Sequence, residues 1–170
     1  MNLAGNAVTA LLTLLGVALG GWLSVRNQDR MWHRDHARQW RDIRLSTYKD
    51  FLSAYREYIA YAQAPTAKIT AVPHPTRDGE MMPFFDDDGR PYKEKLEATR
   101  MAVSLVSELP ETRDALLLLM RRARSVAAAR AVHSPGDITS EVFQELFAAH
   151  NAFVSAARRE LGLLDRSGDA

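Results

Sequence analysis

Residues 4–25 form a continuous stretch without a charged side chain, and an arginine-rich segment follows it directly. The stretch reads AGNAVTALLTLLGVALGGWLSV and is mostly apolar. Because a helix rises about 1.5 Å per residue, about 20 helical residues cross the roughly 30 Å hydrocarbon layer of a bilayer. The sequence therefore predicts a transmembrane anchor over residues 1–25, with the rest of the chain on one side of the membrane.

The charges that follow the predicted anchor indicate its orientation. From residue 26 to residue 44 there are six arginines and three aspartates. Lysine and arginine beside a membrane span stay preferentially on the cytoplasmic side, so we expect the N-terminus outside and the C-terminal domain in the cytoplasm. The side chains expected at the membrane interface are Trp22, Arg26, Arg30 and Arg34. A cleaved signal peptide is the alternative interpretation, although the basic residues with which such peptides begin are missing.

One side of the predicted membrane helix carries small and hydroxylated residues. Thr9, Thr13, Gly16 and Gly20 recur at steps of three and four, which places them on one helical face. The GxxxG pair formed by the two glycines allows two helix backbones to approach closely in lipid. Self-association into a homo-oligomer through this face is one interpretation. The other is that glycine and threonine are simply common in membrane helices.

The sequence after the anchor predicts a charged stalk over residues 26–44 and then a helix that packs on a core. Residues 45–62 carry apolar side chains at the i, i+3, i+4 spacing of an amphipathic helix. Residues 64–91 contain five prolines and predict a long loop. The apolar tip of this loop, at residues 81–85, is expected to fold back onto the bundle or the membrane surface.

Further helical patterns cover residues 91–107, 111–131 and about 140–161, with a break at Pro110 and a loop at 133–137. The LLLLM block at 116–120 is apolar nearly all round, which predicts a central position. No segment predicts a β-strand, and residues 164–170 predict a frayed tail. The expected fold class is all-α: a transmembrane helix continuing into the stalk, then a three- to four-helix antiparallel bundle over residues 45–163.

The composition excludes several classes of chemistry. The chain has no cysteine, which rules out disulfides, thiolate catalysis and cysteine-bound zinc. Its net charge is only +1, unlike the strongly basic footprint of nucleic-acid-binding proteins, so no nucleic-acid partner is expected. His33 and His36 can share a helical face, but a metal site needs further ligands that the stalk of one chain does not supply. The motifs HExxH, GxGxxG and the Walker loop are also missing, so we expect no catalytic residue, metal site or cofactor.

Three side chains are candidates for a pocket or a partner face. Tyr58 and Tyr61 fall off the main apolar stripe of the 45–62 helix and can face a partner or a pocket under the long loop. His150 lies on the last predicted helix. The alternative is that these side chains belong to the core and its rim.

The segment Arg44-Leu-Ser-Thr-Tyr48-Lys-Asp-Phe51-Leu52, together with the order of the predicted parts, carries a resemblance. The chain resembles a broad group of small, uncharacterised single-pass membrane proteins from GC-rich, actinobacterial-type Gram-positive bacteria. The resemblance implies a helical bundle at the inner membrane face and transfers no catalytic residue. The proline-rich loop falls outside the pattern of that group.

Two functional interpretations follow. The first is a non-enzymatic, membrane-anchored interaction or assembly module that faces the cytoplasm and binds itself or another membrane or cytoplasmic protein. The alternative is a membrane-anchored sensor or effector, as in stress response or phage defence, whose bundle binds a small ligand beneath the loop. A pocket that contains Tyr58, Tyr61 or His150 would favour the sensor, whereas a large flat apolar patch would favour the module.

Overall fold

A computed structural model describes Trp32 and residues 35–163. The chain divides into two compact units, Met1–Asp42 and Ile43–Ala170. In the described part of the first unit, Trp32 and residues 35–42 are helical. The predicted membrane span lies outside the described residues, as do its association face (Thr9, Thr13, Gly16, Gly20) and the expected interface residues (Trp22, Arg26, Arg30, Arg34). No helix within the described residues is both long and apolar enough to cross a bilayer.

The described chain is mostly helical, as the periodicity predicted. Helix α1 covers residues 35–63 of the described chain. Two strands follow, β1 (Ile69–Pro73) and β2 (Met81–Phe85), and then the helices α2 (Arg90–Val106), α3 (Pro110–Arg130) and α4 (Ser140–Glu160). A short 3-10 turn, Pro135–Asp137, precedes α4. The second unit is thus a helical bundle with a small two-stranded sheet inserted between its first two helices.

Aromatic rings join α1 to α4 along the length of the core. Phe51 and Phe153 are both fully buried, and their ring centroids lie 5.1 Å apart. Further along α1, Tyr55 stacks on His150 with centroids 5.6 Å apart. Because the α1 numbers rise as the α4 numbers fall, the two helices run antiparallel. Burial of this apolar stripe is the main contribution to the stability of the bundle.

The corner between α2 and α3 forms where the sequence predicted a break. Helix α2 ends at Val106, and Pro110 is the first residue of α3. Leu109 has extended backbone angles (φ −83°, ψ 128°), as expected of a residue that precedes a proline. Proline suits the first turn of a helix because its missing N–H would have no intrahelical partner there.

The LLLLM block of α3, for which the sequence predicted a central position, is buried along one face only. Leu116, Leu119 and Met120 are buried, whereas Leu117 is 54% exposed and Leu118 is 38% exposed. Their spacing is that of one helix face packing on a core while the opposite face meets solvent. The helical period, and not the total hydrophobicity of the block, determines which of its side chains are buried.

The proline-rich segment contains an antiparallel hairpin, so the prediction of a loop without strands was wrong. Strand β1 pairs with β2 in the register Ile69↔Phe85 to Pro73↔Met81. The tip is residues 74–80, closed by a hydrogen bond from the His74 N–H to the Glu80 carbonyl (2.8 Å). Residues 81–85, expected at the tip, instead form the returning strand. In a two-stranded sheet each strand keeps one unpaired edge, where a proline removes no ladder hydrogen bond.

Candidate functional site

A cavity of about 550 Å³ lies between the hairpin and the helices α2 and α3. The hairpin contributes His74, Arg77 and residues 79–83 to the lining, and α1 contributes Tyr58. The hairpin is held in this position because both of its strands lie against α3. Without the hairpin the same faces of α2 and α3 would be open surface, so the inserted strands create the site.

The inner wall of the cavity is apolar. It includes Tyr58, Leu96 and Met120, which are 2%, 1% and 3% exposed. Met82 and Pro83 of β2 line the side formed by the hairpin. Burial raises the pKa of the Tyr58 hydroxyl far above its usual range, so this hydroxyl stays protonated as a potential hydrogen-bond donor. Such a wall suits an apolar portion of a ligand.

The rim of the cavity is charged and has an excess of cations. Five of the lining residues are lysine or arginine and two are glutamate: Arg77, Lys93, Arg121, Arg122 and Arg124 against Glu80 and Glu97. Glu80, on the hairpin, lies 3.1 Å from the Arg77 guanidinium and 3.5 Å from that of Arg121 on α3. The ion pair between Glu80 and Arg121 connects the hairpin tip to α3 at the cavity.

Glu97 is the second carboxylate of the rim, and two arginines share it. Its oxygens accept hydrogen bonds from Arg124 (2.5 Å) and Arg100 (2.9 Å). Burial alone would raise the pKa of Glu97, but these hydrogen bonds outweigh burial and lower it. The hydrogen bond from Arg77 likewise lowers the pKa of Glu80. Both carboxylates are therefore ionised at neutral pH, and the rim still carries more positive than negative charge.

The Asp86 carboxylate organises the base of the hairpin. One of its oxygens accepts hydrogen bonds from the Tyr61 hydroxyl (2.6 Å) and from the Gly89 N–H (2.9 Å). The Tyr61 hydrogen bond lowers the pKa of Asp86, while burial and the nearby carboxylate raise the pKa of Tyr61 to about 12. The Phe85 ring contacts both Tyr58 and Tyr61, with ring centroids 5.1 Å and 5.8 Å apart respectively. This contact fixes the strand that walls the cavity.

The three candidate residues from the sequence occupy different positions. Tyr58 lines the cavity, and Tyr61 lies behind Phe85 outside the lining. His150 is also outside the lining, stacked on Tyr55, and its Nδ1 is buried without a hydrogen-bond partner in the described part of the chain. Burial lowers the pKa of His150, and the Arg56 charge adds to this effect. The structure thus brings Tyr58 and Tyr61 together through Phe85 and leaves His150 in a separate environment.

Sequence reasoning missed the cationic residues of the rim. The sequence pattern gave no binding role to the arginines of α3 or to Lys93. Their position is a usable signal: Arg121 directly follows the buried Met120 and Arg124 directly follows the buried Ala123, so both lie at the boundary of the apolar face. Only the hairpin, which the sequence did not predict, turns that boundary into the rim of a cavity.

Among the described residues there is no group of three or more histidine, aspartate or glutamate side chains placed to hold a metal ion. In the first unit, the indole N–H of Trp40 donates to Nε2 of His36 (3.0 Å), and the Trp32 ring stacks on the same imidazole with centroids 5.3 Å apart. His33 lies outside the described residues.

No protein-family model, curated protein or solved structure matches the chain.

Proposed function

We propose that the chain is a non-enzymatic, membrane-anchored ligand-binding protein whose helical unit takes up a small molecule in the cavity beneath the hairpin. The observation that carries this proposal is the cavity itself. Its volume of about 550 Å³ falls in the range of about 300–1,000 Å³ that is usual for small-molecule sites. An apolar wall with a few charged groups at the rim is also the usual composition of such sites. This favours the sensor or effector over the assembly module.

The anchor and the cytoplasmic orientation belong to the same proposal. They rest on the uncharged stretch at residues 4–25, on the arginines that follow it and on the resemblance to actinobacterial-type membrane proteins. Membrane fractionation and protease treatment of intact cells test them. We expect the protein in the membrane fraction and its helical unit protected until the cells are opened. Digestion from outside intact cells would contradict the orientation.

Blocking the cavity tests the binding function. Ser125 of α3 lines the cavity, whereas Ser104 of α2 is exposed outside it. Each hydroxyl donates to the carbonyl four residues earlier, at 3.1 Å and 3.0 Å, so the two sites are well matched. Ser125→Trp places an indole in the cavity, and Ser104→Trp serves as the control.

The binding experiment screens neutral aromatic compounds, organic anions and organic cations against the full chain in mild detergent by ligand-observed NMR. We expect saturable binding of at least one class to wild type and to Ser104→Trp, and its loss in Ser125→Trp. Circular dichroism confirms that each variant is folded. Equal binding to wild type and folded Ser125→Trp, or no binding to wild type, would refute the function.

An assembly module is the second candidate, and two exposed side chains of α2 favour it. Met101 is 57% exposed and Leu105 is 85% exposed, and at a spacing of four they share one helical face. Mass measurement in mild detergent tests self-association. The candidate requires an oligomer that Met101→Glu with Leu105→Glu, or Gly16→Leu with Gly20→Leu, dissociates. A monomer unchanged by either pair would remove it.

A further inference from the structure

We propose that the ligand of this cavity is an organic anion that joins a flat ring system to a phosphate, the chemistry of a nucleoside monophosphate. The inference rests on the proposed function and specifies the chemical class of the ligand. Two independent features of the lining carry it. One is the unbalanced positive charge at the rim, and the other is the kind of apolar side chain that forms the wall.

The charge of the rim calls for an anion. Arg122 pairs with Glu145, outside the lining, at 2.7 Å. Once this pair is set aside, four lining cations face two carboxylates, Glu80 and Glu97. Arg100, which lies outside the lining, also forms an ion pair with Glu97. At least two positive charges therefore remain uncompensated, which matches the charge of a phosphate dianion.

Lys93 is the cation most available to a ligand. No carboxylate lies within ion-pair distance of Lys93 in the part of the chain that the structure describes. Its ammonium lies 5.4 Å from the centroid of the Phe84 ring, a contact that leaves its N–H donors unused. Arg77 and Arg121 share a single carboxylate, so their guanidinium groups also have donors to spare. Three cations with spare donors in the lining of one cavity suit the oxygens of a phosphate.

The wall of the cavity suits a flat ring. Met81, Met82 and Met120 all contribute to the lining, and thioether sulfurs make favourable contacts with aromatic rings. Tyr58 adds an aromatic side chain at the inner end, and guanidinium groups stack readily on planar ring systems. A ring therefore finds apolar, polarisable neighbours on both the hairpin and the helices, while its phosphate remains at the rim.

Isothermal titration calorimetry on the full chain in mild detergent tests the inference. The probes are the four ribonucleoside 5′-monophosphates, the four nucleosides and ribose 5-phosphate. The nucleosides keep the ring and lose the charge, and ribose 5-phosphate keeps the charge and loses the ring. We expect at least one nucleotide to bind more than tenfold more tightly than its nucleoside and than ribose 5-phosphate. Binding should weaken as salt rises, because the rim charges are accessible to solvent.

Two lysines on the same helix provide a matched pair of variants. Lys93→Gln removes a lining cation without leaving a carboxylate unpaired. Lys95→Gln removes a cation that pairs with Glu57 at 2.7 Å and does not line the cavity. Loss of a hydrogen bond to a charged group should weaken nucleotide binding about ten- to a hundredfold in Lys93→Gln. Nucleoside binding should be unchanged, and Lys95→Gln should bind the nucleotide within twofold of wild type.

The outcomes separate this inference from the proposed function. Nucleosides that bind as tightly as nucleotides, or a Lys93→Gln variant with unchanged nucleotide affinity, would overturn the anionic class. Ribose 5-phosphate that binds as tightly as the nucleotides would overturn the flat ring. In each case, binding lost in Ser125→Trp would leave the cavity as a ligand site. If no nucleotide binds, the inference fails, and if no compound class binds in the wider screen, the proposed function fails with it.

Discussion

Removing the buried carboxylate of Glu160 should destabilise the helical unit strongly. Glu160 lies at the end of α4, and its side chain is only 2% exposed. Its two oxygens accept hydrogen bonds from the Glu108 N–H (2.6 Å) and the Ser107 hydroxyl (3.0 Å). The Arg44 guanidinium of α1 lies 3.9 Å away and also bonds the Val106 carbonyl and Glu108. One carboxylate thus connects α1, the corner after α2 and the end of α4.

The magnitude follows from these contacts. Each hydrogen bond to a charged group contributes about 1.5–3 kcal/mol, and removing one partner of a buried ion pair costs about 3–5 kcal/mol. We therefore expect Glu160→Ala to lower the free energy of unfolding by about 3–5 kcal/mol. With a denaturant slope of about 2 kcal/mol per molar urea, the midpoint should fall by about 1.5–2.5 M. Glu160→Gln should lose less, because its amide still offers one oxygen to the Glu108 N–H.

The same carboxylate contributes a pH dependence of known sign. Burial alone would raise the pKa of Glu160, but its hydrogen bonds outweigh burial and lower it below the usual 4.5. The corresponding stability is present above pH 4.5 and is lost as the pH falls through the lowered pKa. Urea unfolding of the full chain in mild detergent, followed by circular dichroism between pH 3 and 7, measures it. Glu160→Gln should lose less stability over this range than wild type does.

A second glutamate on α4 provides the control. Glu145 also pairs with an arginine, at 2.7 Å from Arg122, but its side chain is 52% exposed. Exposed ion pairs contribute about 0–1 kcal/mol, so Glu145→Ala should shift the urea midpoint by less than about 0.5 M. Similar losses in Glu145→Ala and Glu160→Ala would refute the reasoning, because they would show that burial does not set the energy of these pairs.

Three further predictions concern other contacts. Gly89→Ala should destabilise the unit by about 1–3 kcal/mol in urea unfolding, since its Cβ would lie 2.5 Å from the Tyr61 ring and 2.8 Å from that of Phe85. His150→Phe should lose less stability than wild type between pH 7.5 and 5, because the lowered pKa of His150 gives stability that is lost as pH falls below 6.5. Leu119→Ala should cost about 2–5 kcal/mol and the exposed Leu117→Ala less than about 0.5 kcal/mol by thermal unfolding.

The helices of the second unit could be predicted because local signals agree with their packing. The stripe of α1 includes Tyr48 and Tyr55, which are buried at 3% and 8% exposure. The last helix ends at Glu160, close to the predicted residue 161, and Gly162 follows it with a φ of +67° that glycine adopts without strain. Where period, breaker and cap coincide, the sequence determines the element without reference to the rest of the fold.

The hairpin could not be predicted because its local signals conflict. Strand β1 reads Ile-Thr-Ala-Val-Pro, and alternate residues such as Ile69 and Ala71 are less exposed than Thr70 and Val72. That alternation is the period of a strand, but the strand has only five residues and ends in proline. Pro83 in β2 gives a second contrary signal, although it lies buried opposite Ala71. Packing of the hairpin against α3 outweighs these weak local preferences.

The residues of the candidate site could be predicted from the sequence only in part. Tyr58 could be selected from the sequence because an aromatic residue off the main stripe needs a second surface to cover it, and Phe85 of the hairpin provides that surface. Lys93 and Arg121 gave no such signal, because a charged residue at the edge of an apolar face is ordinarily solvated. They line one cavity only because the hairpin over residues 69–85 packs against α3. A site composed of side chains from a hairpin and two helices depends on how these elements pack. Its chemistry can therefore be recognised only once the position of the hairpin is known.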